Sequence, residues 1–221
     1  MRRRAALLKY AAGLLLSLAL GVTSAMPIMG KDYAPVNPAQ PTDTGNKIEV
    51  LEVFSYMCPH CYEFEPRLEP WVKALPADVA FRRMPVSFSR DSWANLGKTY
   101  YALDALGQLK LHGKVFDAIH AQNIKLDDPN TLFDWVAKQG VDRKTFADAF
   151  GSFGVQAKMQ RSAQLVRAYG VDGVPSLIID GKFRVMASQN MLQVADELIQ
   201  AARNQRPKAS IDTAPAKTAA K

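Results

Sequence analysis

Val50-Leu-Glu-Val-Phe-Ser-Tyr-Met-Cys-Pro-His-Cys-Tyr-Glu-Phe-Glu65 is the stretch on which the fold turns. An apolar, β-branched and aromatic segment runs straight into Cys58-Pro59-His60-Cys61, and an acidic, helix-compatible run follows. Such a segment favours an extended chain, and proline is tolerated in the first turn of a helix. The cysteines therefore sit at a strand-to-helix junction. They are the only two in 221 residues, three positions apart, and a pair so placed can open and close as a disulfide.

Outward from this stretch, Ile48–Tyr56 reads as a strand and Pro59–Leu75 as a helix, with Pro66 and Pro70 predicting a kink. Val79–Val86 reads as a second strand. Upstream, residues 27–46 hold Pro27, Pro35, Pro38 and Pro41 among small polar residues, an extended leader. From Asp91 to Tyr169 the period becomes helical: Trp93, Leu96, Tyr100 and Leu103 on one segment, Leu111, Val115 and Ile119 on the next. Asp128-Pro129 opens a further helix that Gln139-Gly140 closes, Asp142 caps a short one through Phe150, and Gln156–Tyr169 forms a longer one ended by Gly170. Ser176–Ile179 and Lys182–Val185 flank Asp180-Gly181, a hairpin signal. Asn190–Arg203 is a last amphipathic helix. The order is β-α-β, a helical insertion, then β-β-α.

The formal net charge of +7 is concentrated at the ends. Arg2, Arg3, Arg4 and Lys9 stand without an acid in the first 25 residues, and Arg206, Lys208, Lys217 and Lys221 outnumber Asp212 in residues 206–221. Residues 26–205 are neutral, which gives no electrostatic footprint for nucleic acid. The tandem arginines, the apolar run Ala11–Val22 and the small residues Thr23-Ser24-Ala25 predict a signal peptide cleaved near Ala25–Met26. The other reading, a membrane anchor, meets a run shorter than the ~20 residues a bilayer needs. An exported chain meets an oxidising compartment. With a core this large, a single cysteine pair reads as a reagent, not a brace.

Disulfide exchange needs a thiolate, an electrophilic sulfur and a second thiol to resolve the mixed disulfide. Cys58 lies where free helix N–H groups and the helix dipole favour negative charge, and Cys61, one turn in, suits the resolving role. His60 can donate to the Cys58 thiolate or present a positive charge to it; otherwise it is an exposed helix residue. If Cys58 had a pKa of roughly 4, the part of that fall below pH 7 would make the couple about 90 mV more oxidising. A structural disulfide and half of a zinc site are the competing readings. Zinc would need two more ligands, and His112 and His120 lie on the helical block, where single histidines are more often surface or core residues. Glu52 shares a strand face with Ile48, Val50 and Phe54, either buried with a raised pKa or exposed at a sheet edge.

A strand, C-x-x-C and helix within a βαβ pattern is the thioredoxin-like redox signature. Phe54-Ser-Tyr-Met-Cys-Pro-His-Cys-Tyr-Glu-Phe64, with Gly173-Val174-Pro175 downstream, resembles the DsbA family of bacterial periplasmic thiol oxidases over roughly residues 46–205. The resemblance implies an α/β thioredoxin-like fold, a central mixed sheet flanked by helices, with an inserted all-helical subdomain. Together with the readings above, it divides the chain into a signal peptide (1–25), leader (26–46), thioredoxin-like domain (47–90 and 170–205), helical subdomain (91–169) and disordered basic tail (206–221). It makes Cys58, Pro59, His60 and Cys61 the redox site and Glu52 an acid that assists proton movement. Arg83 falls where the family is expected to carry lysine. Because arginine keeps its charge, any relay role rests with Glu52. Val174 and Pro175 become the substrate-binding element, with a cis Pro175 leaving the Val174 backbone to pair with an extended substrate. The helical block would cap the active-site face, leaving a shallow apolar groove.

The activity so implied is donation of the Cys58–Cys61 disulfide to unfolded secreted proteins, with no cofactor and no metal. A monomer would be reoxidised by a quinone-linked inner-membrane partner similar to DsbB. An isomerase or reductase on the same fold is the alternative, though isomerases usually add a dimerisation domain and residues 26–46 are short for one. A secreted metal-binding or interaction module with a structural disulfide is the other.

Overall fold

The computed structural model describes residues 26–206. The expected signal peptide, residues 1–25, and nearly all of the expected basic tail, residues 207–221, lie outside the described residues. Strand β2 (Ile48–Phe54) is buried at all seven positions, because it runs through the middle of a five-stranded sheet covered on both faces. The sheet order is β1 (Tyr33–Pro35), β5 (Phe183–Val185), β4 (Ser176–Ile179), β2 and β3 (Val79–Pro85). β3 lies parallel to β2, joined by the right length of chain for a helical crossover, α1 (Pro59–Lys73). The β4 strand is antiparallel to β2, and the other two pairings are antiparallel as well.

The alternation read from the sequence holds along β2. Ile48 and Val50 pack with Phe64 and Leu68 of α1 and with Leu198 and Ile199 of α7 (Met191–Gln205). Leu51 and Val53 pack on the other face with Met84, Tyr169 and Ile178. Each side chain so buried stabilises the fold by about 1.5–3 kcal/mol. Helix α1 continues through Pro66 and Pro70 and ends at Lys73, two residues short of the expected Leu75.

Between β3 and β4 come α2 (Asp91–Ala105), a short 3-10 turn at Leu109–Leu111, α3 (His112–His120), α4 (Pro129–Lys138), α5 (Arg143–Gly151) and α6 (Phe153–Ala168). The expected caps act at α4 and α5, where Asp128 and Asp142 accept from the Thr131 and Thr145 amides, both at 2.8 Å. Helix α6 starts three residues before the expected Gln156, because Ser152 caps it. Phe54 and Tyr56 enter the core of this helical block beside Leu96, Tyr100 and Phe116, so the strand-to-helix junction that carries the cysteines is continuous with the insertion.

The leader is not merely extended. Its residues 33–35 form the edge strand β1 against β5, and it crosses the β4–β5 hairpin, where Gln40 N–H donates to Gly181 O. The turn holds three residues, Asp180-Gly181-Lys182, between paired Ile179 and Phe183; Asp180 at φ 52° and Gly181 at φ 66° take the left-handed region that Asp and Gly tolerate, and Lys182 N–H donates to Ile179 O at 2.9 Å.

Candidate active site

Strand β2 delivers the chain to the cysteines through a braced turn. Met57 N–H donates to Ser55 Oγ at 3.2 Å and Cys58 N–H to Ser55 O at 3.0 Å. Cys58 then occupies the N-cap of α1 with extended backbone (φ −88°, ψ 114°), and Pro59 takes the first helical turn, where its missing N–H costs nothing. Cys58 is 7% exposed and Cys61 0%; both are free thiols.

The two sulfurs have opposite proton affinities. The thiol of Cys61, donating toward the Cys58 sulfur, does most to lower the Cys58 pKa, to about 6; burial opposes it, and the Cys61 and His60 amides and the His60 charge assist. Burial pushes Cys61 far above the usual thiol range, and the charges of Cys58 and Glu52 push it further. The His60 ring is 77% exposed and turned toward Glu63, with Nδ1 3.4 Å from Oε2. Its side chain is thus a minor influence on Cys58, behind its own amide. A pKa near 6 lies one unit below pH 7, worth roughly 1 kcal/mol, or about 20–30 mV, well short of the 90 mV that a value near 4 would give.

Val174 comes from the loop before β4, 116 positions from Cys58, and its carbonyl accepts from Cys58 Sγ at 3.4 Å. The Val174–Pro175 bond is cis, as is Asn37–Pro38. A shallow depression of about 210 Å3 runs beside this element, lined by His60, Phe64, Arg67, Pro175, Gln189 and Met191.

Glu52 is buried at 0% exposure, which excludes the sheet-edge reading: β3 and β4 flank it. Its Oε2 accepts from Arg83 Nε–H at 2.8 Å, while Oε1 has no hydrogen-bond partner among the described residues. Burial raises its pKa to about 8, against the opposing pull of Arg83. Arg83 also donates through Nη2 to Glu69 Oε1 at 2.7 Å and Glu65 Oε2 at 3.2 Å.

Sequence reasoning passed over His112 and His120 as core or surface residues, and both grip the junction. His112 Nε2 lies 3.4 Å from Glu65 Oε1, and Nδ1 lies 2.7 Å from Tyr56 Oη. Burial lowers the His112 pKa, so the ring is neutral near pH 7; Nε2–H donates to the carboxylate and Nδ1 accepts the tyrosine proton. His120 Nε2–H donates to Tyr56 O at 2.8 Å, and the ring stacks on Tyr62, with centroids 5.0 Å apart. The signal available was the spacing His112–Phe116–His120, one face of α3. A cavity of about 600 Å3 lies between α1 and α3, lined by Tyr62, Glu65, Glu69, Arg83, His112 and Phe116. Among the described residues, no group of three or more His, Cys, Asp or Glu side chains is placed to hold a metal ion.

Comparison with known proteins adds an independent line. Residues 92–199 match a family model described as a DSBA-like thioredoxin domain. The thiol:disulfide interchange protein DsbA of Burkholderia cepacia is 43% identical over 183 residues, covering 80% of this chain and 86% of that one. Its counterpart in Pseudomonas syringae is 41% identical over 187 residues, covering 81% and 87%. The crystal structure of Pseudomonas aeruginosa DsbA superposes with a TM-score of 0.75 at 38% identity, covering 79% of this chain and 94% of that one.

Proposed function

We propose, from the premise that this chain belongs to the DsbA family of thiol:disulfide interchange proteins and is a protein disulfide oxidoreductase, that it works in the oxidising direction. A substrate thiolate attacks Cys58 Sγ of the Cys58–Cys61 disulfide; the S–S bond breaks, a mixed disulfide forms, and Cys61 leaves as a thiolate. A second substrate thiolate attacks the substrate sulfur of that mixed disulfide, and Cys58 leaves. The substrate loses two electrons and gains a disulfide, and the protein becomes a dithiol.

The observation that carries this reading is the asymmetry of the pair. Cys58, capped by helix amides and lowered to about 6, is the better leaving group and is stable once released. Cys61 cannot remain charged where it is buried and must take a proton. Glu52, raised to about 8, is the acid with a proton to give near neutral pH. Pro59 starts the helix, and His60 supplies an amide and a weak positive charge. The Val174 backbone beside Cys58 and the Pro175 depression support pairing with an extended substrate chain, with little sequence preference.

In the same reading the tandem arginines and apolar run of residues 1–25 direct export to the periplasm and are removed. Residues 47–90 and 170–205 carry the redox chemistry, and residues 91–169 cap it. The protein works as a monomer without a cofactor beyond its own cysteines, on unfolded secreted proteins. A membrane oxidase similar to DsbB, passing electrons to a quinone, restores the disulfide. Equilibration with glutathione buffers tests the direction. The Cys58–Cys61 disulfide should be reduced at far more oxidising ratios than a structural disulfide; a pair that stays oxidised overturns the proposal.

A further inference from the structure

Three carboxylates converge on the Arg83 guanidinium: Glu52 through Nε at 2.8 Å, and Glu69 and Glu65 through Nη2 at 2.7 and 3.2 Å. One positive charge cannot balance three negative ones, and arginine does not release its proton. The excess falls on whichever carboxylate finds charge most costly. Side-chain exposure is 0% for Glu52, 11% for Glu65 and 44% for Glu69. Glu65 has a second donor in His112, and Glu69 has solvent from the α1–α3 cavity. Glu52 has only Arg83. Glu65 and Glu69 also stand four apart on α1, where like charges repel unless a cation lies between them.

We propose that Glu69 is a positioning residue: from the solvent-facing wall of the cavity it competes with Glu52 for Arg83 and so keeps the proton on Glu52. This rests on the reading of Glu52 as the acid that protonates departing Cys61. The groups facing Glu52 are Arg83 from β3, Glu65, Glu69 and Cys61 from α1, Tyr100 from α2 and Tyr56 from the turn after β2, while His112 of α3 contacts Glu65 and acts on Glu52 only through it. Among the carboxylates, Glu69 alone is open enough for its charge to be removed without opening the core. Burial is the main reason Glu52 holds its proton, with the charges of Glu65 and Glu69 adding to it.

Carboxyl-carbon NMR of the reduced protein, labelled at glutamate side chains, tests this. Glu52 is assigned by the resonance lost in Glu52→Gln. Glu69→Gln should lower the Glu52 midpoint by about half a pH unit or more, and the pH profile of disulfide donation should move with it. Glu69→Asp, which restores the charge, should return the midpoint toward its original value. A merely structural role would change the unfolding midpoint and leave the titration in place. If Glu52 titrates high but ignores Glu69→Gln, the role of Glu69 falls alone. If Glu52 titrates in the ordinary carboxylate range in the unaltered protein, its reading as proton donor falls, and that of Glu69 with it.

Discussion

Tyr56 Oη and His112 Nδ1 lie 2.7 Å apart, tying the turn before the cysteines to the first residue of α3. Since His120 holds the Tyr56 carbonyl from the other end of the same helix, the insertion grips the active-site junction at two points. Removing the hydroxyl would leave a buried ring nitrogen without a partner. Tyr56→Phe should therefore cost about 1–3 kcal/mol of stability, read as a lower denaturant midpoint with an unchanged slope.

Glu52 makes stability depend on pH. Its folded pKa is raised from 4.5 to about 8, so the folded state keeps a proton that the unfolded chain releases. Its contribution is fully present below about pH 4.5 and is lost as pH rises through about 8. Glu52→Gln removes that dependence. The variant should gain little below pH 4.5 and roughly 2 kcal/mol above pH 8, as chemical denaturation at several pH values would show.

The exposed, outward-turned ring of His60 limits what His60→Ala can do. The Cys58 pKa should rise from about 6 by less than about one unit, because the helix amides and the Cys61 thiol remain. Thiolate ultraviolet absorbance of the reduced protein against pH measures this. A rise of two units or more would make the imidazole the principal cause.

Alkylation separates the two thiols. At pH 7 Cys58 is mostly thiolate, whereas Cys61 is fully buried and protonated. Iodoacetamide should modify Cys58 at least about tenfold faster than Cys61, resolved by peptide mass analysis of the reduced protein after brief exposure.

Gly181 carries the leader's crossing of the β4–β5 hairpin. A Cβ there would meet Gln40 O at 2.0 Å, and the residue sits at φ 66°. Gly181→Ala should cost about 2–4 kcal/mol, from backbone strain and displacement of the leader. The unfolding midpoint should fall accordingly, while the glutathione equilibrium of the cysteines stays in place.

Much of the fold could be read locally. The β2 alternation, the C-P-H-C junction with proline in the first helical turn, the Asp caps of α4 and α5 and the Asp180-Gly181 turn all depend on residues within a few positions of one another. Their chemistry is set by backbone geometry and short-range hydrogen bonds. The pairing of Val174-Pro175 with the cysteines came from family resemblance, since composition alone does not bring residues 116 positions apart together.

Tertiary structure decided the rest. Strand alternation placed Glu52 on an apolar face, but burial required β3 and β4 on either side of it. The charge of Arg83 was plain in the sequence; its sharing among three carboxylates from two elements was not. His60 stood beside Cys58 in the chain yet turns outward, while His112 and His120, more than fifty positions from Tyr56, turn inward and hold it. Local sequence sets which backbone conformations are cheap. Which side chains lose water, and which charges must share a partner, is settled only when distant elements close over one another.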